Sequence, residues 1–246
     1  MARRYRAHRI GAALVIALAF AAFLLLNPKA YEKASLLWLG EKLPEYRLEQ
    51  TKADSLLAKD VLENLAVKEK YTDTKYYRKA FYGNWGPTAN GCNTREAILG
   101  RDLKDVVYKP NSCKVQTGTL NDPYTGKTIE FVRGQDTSSD VQIDHVVALS
   151  NAWASGAALL DKDARYEISQ DPLNLLAVDG PANQEKSDQA ADTWLPSNEA
   201  FRCQYVARQI SVKYKYKLWV TPAEKLAMQK VLADCPDEPT RGLENQ

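Results

Sequence analysis

Five polar residues in the middle of the chain have types and spacing that could do acid–base or metal chemistry together. Asp144 and His145 are adjacent in the run VQIDHVVALSNAW (141–153), Asn174 follows in DPLNLLAVDG (171–180), and Asn183 and Lys186 lie in PANQEKSD (181–188). His145 is the only histidine beyond the first thirty residues. An imidazole can take a proton from water near neutral pH, and the carboxylate beside it can hold a hard divalent cation. The amide oxygen of Asn183 is a second hard donor. Two such ligands leave most coordination positions to water and phosphate oxygens, as Mg²⁺ prefers. Lys186 falls one helical turn after Asn183, on the same side, where an ammonium could reach phosphate. The helix N-terminus expected near Pro181 adds a favourable dipole for an anion. Each residue also has a plainer role: a packed histidine, Asn174 at a strand edge or turn, Asn183 as a helix cap, Lys186 as a solvated charge.

The elements that must position these residues follow from pattern. The β-branched residues Val141, Ile143, Val146 and Val147 place Asp144 and His145 on a strand. A short apolar strand over 171–180, closed by Asp179-Gly180, carries Asn174. A helix runs from Pro181 to a stop at Pro196 and carries Asn183 and Lys186. Between His145 and Asn174 lie 28 residues, more than a minimal hairpin needs. An Ala- and Leu-rich helix, Ala148 to Leu160 with Trp153, is therefore inserted there. Upstream, Cys113 to Gly134 reads as a β-hairpin turning at Asp122-Pro123-Tyr124-Thr125-Gly126. Tyr76 to Leu103 reads as aromatic residues broken up by turns, with Thr94 capping a short helix. Arg95 and Arg101 there either reach phosphate or hold the loop. Downstream come a helix over Asn198–Tyr216 and a capping box, Thr221-Pro222-Ala223-Glu224, that opens a last helix to about Asp234.

Composition bounds the setting. Lys and Arg total 33 against 31 Asp and Glu, a net charge of +2. No general polyanion-binding field follows from this balance, and any anion site is local. A basic start (MARRYRAHR) leads into an apolar run from Ile10 to Leu26, at the lower edge of the roughly 17–25 residues that span a bilayer. It reads as an export signal or an N-terminal membrane anchor with the rest of the chain outside, in an extracellular or cell-surface setting. The expected organisation is leader 1–30, charged helical linker 31–70, domain 71–236 and flexible tail 237–246. Four cysteines, Cys92, Cys113, Cys203 and Cys235, in an exported chain imply two disulfides. Three pairings exist, and sequence proximity favours Cys92–Cys113 with Cys203–Cys235. With no C-x-x-C pair, a four-cysteine zinc site is disfavoured.

The ordered constellation, together with the stretches GCNTREAILGRDL, DPYTGKTIEF, VQIDHVVALSNAW, DPLNLLAVDGPANQEKSD, TWLP and YVARQ, resembles the HNH endonucleases. These form the His-Me finger or ββα-metal group, and the likeness is to exported bacterial members, over roughly Tyr71 to Cys235. The resemblance implies an α+β fold whose ββα-metal core is elaborated by extra helices and a short β-hairpin. It implies phosphodiester hydrolysis with one divalent cation, Mg²⁺ with Mn²⁺ as its alternative. His145 is then the general base and Asp144 a metal ligand. Asn174 fixes the His-bearing strand, and Asn183, in a third position that holds His or Asn, ligates the metal through its carbonyl oxygen. Lys186, Arg95 and Arg208 are the implied substrate contacts, with nucleic acid as substrate, DNA ahead of RNA. No obligate protein partner is indicated, and the membrane is a partner only through an uncleaved leader. Two rival readings are a non-catalytic surface module keeping this fold and a toxin-like effector controlled by a partner.

Overall fold

A computed structural model describes residues 56–243, apart from Tyr82 and Asp136. The leader and the first part of the linker lie outside the described residues. The elements are helix α1 (Ala58–Asn64), helix α2 (Thr94–Asp102), strands β1 (Lys104–Tyr108), β2 (Val115–Asn121), β3 (Thr128–Val132) and β4 (Val141–His145), helices α3 (Leu149–Ala154) and α4 (Lys162–Gln170), strand β5 (Leu175–Asp179), and helices α5 (Gly180–Lys186), α6 (Glu199–Lys215) and α7 (Pro222–Ala233). Short 3₁₀ turns occupy Arg78–Ala80 and Ala157–Leu159. The fold is α+β with small antiparallel sheets, and both disulfides, Cys92–Cys113 and Cys203–Cys235, are formed.

At the centre β4 and β5 pair antiparallel, from Val141 opposite Asp179 to His145 opposite Leu175. The run Leu175-Leu176-Ala177-Val178 is buried throughout, as expected of a strand covered on both faces. The chain passes directly from β5 into α5. The Asp179 carboxylate accepts from Ala182 N at 2.8 Å, and a proline follows at the first turn, so the cap and Pro181 both start the helix here. Gly180 is needed at the junction because a Cβ would lie 2.2 Å from Ser139 O. Strand, strand and helix thus form one continuous unit.

Three cores surround it. The sheet β1–β2–β3 packs with α2 on one face of the unit through Ile98, Leu99, Val115, Phe131, Val141 and Leu175. Helices α6 and α7 cover another side around Tyr124, Val146, Val206, Ile210 and Met228. The third core joins the Arg78–Ala80 turn to α3 and α4 through Phe81, Val147, Trp153 and Ile168.

Several expectations need correction. The linker and tail boundaries shift, because Ala58, Val61 and Leu62 of α1 are buried in the α6/α7 core. Burial of a Val or Leu side chain stabilises by about 1.5–3 kcal/mol. Leu57 bridges Pro239, Thr240 N donates to Leu56 O at 2.8 Å, and Thr240 and Leu243 are buried. Residues 56–70 and 237–243 are therefore part of the folded body. The Trp153 helix is shorter than Ala148–Leu160. It breaks at Gly156, whose φ of +120° and position 2.6 Å (ideal Cβ) from the Trp219 ring no other residue could accept. A further helix, α4, follows, capped by Asp161 on Ala164 N. The helix expected over 181–196 ends at Lys186, where Ser187 takes φ +50°. Asn93 rather than Thr94 caps α2; the Thr94 hydroxyl lies on Gly86 O and Gln170 Oε1.

Candidate active site

The last two residues of β4 face different partners. His145 Nε2 lies 2.9 Å from Ser169 O, at the end of α4. A carbonyl only accepts, so Nε2 carries the proton and Nδ1 the lone pair. The indole of Trp85 stacks nearly parallel to the imidazole, 10° between planes and 5.7 Å between centroids. Burial pushes the imidazole well below its ordinary pKa, to about 3, and the positive charges of Arg78 and Lys186 add to the shift. A pKa near neutrality was expected from sequence. The difference comes from desolvation, which disfavours the charged ring.

Asp144 is only 5% exposed. Its Oδ2 accepts from the Tyr124 hydroxyl at 2.5 Å and its Oδ1 from Lys186 Nζ at 2.9 Å. Burial raises its pKa against the opposing pull of the Lys186 charge. The two oxygens offer four lone-pair directions, and with the backbone bond from His145 as well one of them remains. Lys186 is fully buried, and its ammonium also donates to His145 O at 2.9 Å. The phosphate contact expected of Lys186 differs from this position: the side chain turns inward because a buried carboxylate needs a paired cation.

Asn174 is fully buried in the segment leading into β5. Its Oδ1 accepts from Val147 N at 2.8 Å, and its Nδ2 donates to Val147 O and Ile168 O at 3.2 and 3.3 Å. It thereby joins the end of β4, the end of β5's approach and α4. Asn183, in the middle of α5, donates from Nδ2 to Gln142 Oε1 at 2.9 Å, which leaves its carbonyl oxygen for other ligands.

A cleft of about 420 Å³ brings these groups together. Asp144, His145 and Asn183 line it, with Tyr76, Arg78 and Asp188. Ser150 Oγ donates to Asp188 Oδ2 at 3.2 Å on the same wall. Arg95 and Arg208 do not line it. Arg95 donates to Val141 O at 3.2 Å, and Arg208 to Leu173 O at 2.9 Å. Burial lowers the pKa of both, to about 10 for Arg208. Arg101 likewise ends on Pro172 O and Leu175 O. These guanidinium groups hold backbone at the margins of the central unit.

Tyr124, Trp85, Tyr76 and Arg78 were not singled out from sequence. Tyr124 sits in the hairpin turn and looked like turn chemistry alone. The other three belong to the aromatic block around residues 76–86, whose composition pointed only to an ordered loop.

The donor set suits a hard cation. Asp144 and the Asn183 carbonyl supply oxygen only, on one cleft, with no soft ligand beside them. Among the described residues no cluster of three or more His, Cys, Asp or Glu side chains could hold a metal.

Fold and site together define a strand–strand–helix unit that presents a neutral imidazole, a buried carboxylate and an amide at one cleft. Residues 93–231 match the family model described as GmrSD restriction endonucleases, C-terminal domain, and the chain belongs to that family. It is also 38% identical over 180 residues to a protein of Arthroderma benhamiae named "Uncharacterized secreted protein", covering 72% of this chain and 84% of that one. No solved structure matches. Among the described residues no helix is long and apolar enough to cross a membrane.

Proposed function

We propose that this protein is an exported HNH-type endonuclease that hydrolyses phosphodiester bonds of nucleic acid, DNA first, with His145 as general base. The observation that carries this reading is the shared cleft of His145, Asp144 and Asn183 on a β4–β5–α5 unit. The family match supports nuclease chemistry, and the secreted relative and two disulfides support an oxidising, extracellular setting.

His145 Nδ1 accepts the proton of the attacking water, while the Nε2–H bond to Ser169 O fixes the ring's orientation. Burial keeps the imidazole neutral at neutral pH and at the same time weakens it as a base. Trp85 closes one ring face and limits the approach to the other. Asn174 holds the end of β4 to the start of β5, and so holds His145 at the cleft. Tyr124 and Lys186 fix the Asp144 carboxylate. A divalent cation, Mg²⁺ or in its place Mn²⁺, would be held by Asp144 and the Asn183 carbonyl, and when bound it would offset the charge developing on phosphate and leaving oxygen.

The test is plasmid cleavage by the full chain with disulfides intact, with Mg²⁺, Mn²⁺ or excess EDTA, alongside His145→Ala. Metal-dependent cutting that the substitution reduces by at least about 100-fold is expected. Full activity in a clean His145→Ala preparation would remove His145 as base. Absence of cutting on DNA and RNA alike would favour a non-catalytic binding module.

A further inference from the structure

The cleft's own side chains carry more acid than base. Two carboxylates, Asp144 and Asp188, line it, yet the proposed substrate is an anion. Lys186 lies beneath the floor with its ammonium on Asp144 and His145 O. Arg95, Arg101 and Arg208 end on backbone carbonyls elsewhere. Among the residues lining the cleft, Arg78 supplies the cationic side chain. Its charge lies close enough to His145 to help lower the imidazole pKa.

Its placement is built by packing. Arg78 opens a 3₁₀ turn whose next residues, Ala80 and Phe81, are buried against Trp153, the Phe81 and Trp153 rings 6.2 Å apart. Arg165 Nε donates to Ala80 O at 3.1 Å, and Trp153 Nε1 donates to Thr74 O at 3.1 Å. The turn is thus tied to the inserted segment that also supplies Ser169 O. Arg78 is an exposed residue that lines the cleft. A guanidinium there presents a planar fork that matches two phosphate oxygens, which an ammonium cannot do.

We propose that Arg78 is a substrate-binding residue of this site, holding the non-bridging oxygens of the scissile phosphodiester opposite His145 and Asn183. It lies outside residues 93–231, the part that matches the family model, so the chain completes its own site from an upstream segment. This inference rests on the nuclease reading, and its test separates the two.

Full-length wild type, Arg78→Gln and Arg78→Lys are compared for kcat, KM and thermal midpoint over a range of NaCl concentrations, with a short duplex as substrate. Arg78→Gln should lower kcat/KM by roughly 100-fold, the loss typical of a donor aimed at developing charge, with its midpoint unchanged. It should also reduce the slope of log KM against log salt by about 0.9, the value of one lost phosphate contact. Arg78→Lys should recover part of the rate, and guanidinium ion at tens of millimolar should partly rescue Arg78→Gln. Wild-type kcat/KM and salt slope in Arg78→Gln would overturn the proposal. So would a loss of activity that tracks a lowered midpoint without guanidinium rescue, which would assign Arg78 to the fold. If wild type neither cuts nor binds the duplex, the nuclease reading fails and this inference fails with it.

Discussion

Asn174→Ala should be among the most destabilising single changes near the site, and its cost can be worked from three bonds. The substitution leaves Val147 N without its 2.8 Å acceptor, and Val147 O and Ile168 O without the shared amide donor. The site is fully buried, so bulk water does not reach the groups that lose their partners. A buried polar group left unpaired costs about 1–3 kcal/mol, and a carbonyl costs less than an orphaned N–H. The sum is about 3–5 kcal/mol, which for a domain of this size is a fall of roughly 10–15 °C in thermal midpoint. Urea denaturation of oxidised wild type and variant measures it, provided m is unchanged. Asn174→Asp sharpens the test because it keeps shape and the acceptor for Val147 N. Its second oxygen, though, would face two carbonyls. Burial and those carbonyls raise the new carboxyl's folded pKa above its unfolded value. The folded variant then binds more protons than the unfolded one, so its deficit grows as pH rises above about 4 and closes as pH falls. A loss below about 1 kcal/mol for Asn174→Ala, or a deficit in Asn174→Asp that does not vary with pH, would refute the reasoning.

Tyr124→Phe removes the 2.5 Å bond to Asp144 Oδ2 and leaves a buried acceptor short of one partner; about 1–3 kcal/mol of stability should go. If Tyr124 also positions Asp144, the Mg²⁺ concentration for half-maximal cutting should rise about 10-fold, and an unchanged metal titration would limit Tyr124 to packing. The depressed His145 pKa, about 3 against 6.5 unfolded, gives a signed pH effect. The unfolded ring binds protons that the folded ring refuses, so stability is full above pH 6.5 and falls by about 1.4 kcal/mol per unit below it, down towards pH 3. The stability difference between wild type and His145→Gln should therefore shift by about 2 kcal/mol between pH 7 and 5 in urea titrations; a constant difference would mean the imidazole is not held neutral.

What was legible in the sequence was mostly local. The strand at Val141–His145, the hairpin over Cys113–Gly134, the helix at Glu199–Lys215 and the capping box at Thr221–Glu224 all announce themselves within a few residues, and all form. Proximity likewise favoured the two disulfides that form. The grouping of Asp144, His145 and Asn183 on one cleft could be anticipated because β5 runs directly into α5. The illegible features depend on distant parts of the chain. The acceptor for His145 is a backbone carbonyl, which has no residue signature, on a helix the inserted segment hid. Tyr124 reaches Asp144 from a turn whose composition explains itself without the contact. Lys186 looks like a surface charge until the buried carboxylate above it is seen. The apolar residues of α1 come at helical intervals in the sequence, but nothing in that pattern names α6 and α7 as the surface it packs on.

The two disulfides have a practical consequence for anyone cutting this domain out. The family match covers residues 93–231, and each bridge joins one cysteine inside those limits, Cys113 or Cys203, to one just beyond them, Cys92 or Cys235. A fragment trimmed to the family's own footprint would therefore carry two widowed thiols. In an oxidising compartment these would seek partners on other molecules, so covalent aggregates would be an artefact of the excision. The smallest portable unit is wider than its family signature, and its true margins are marked by sulfur.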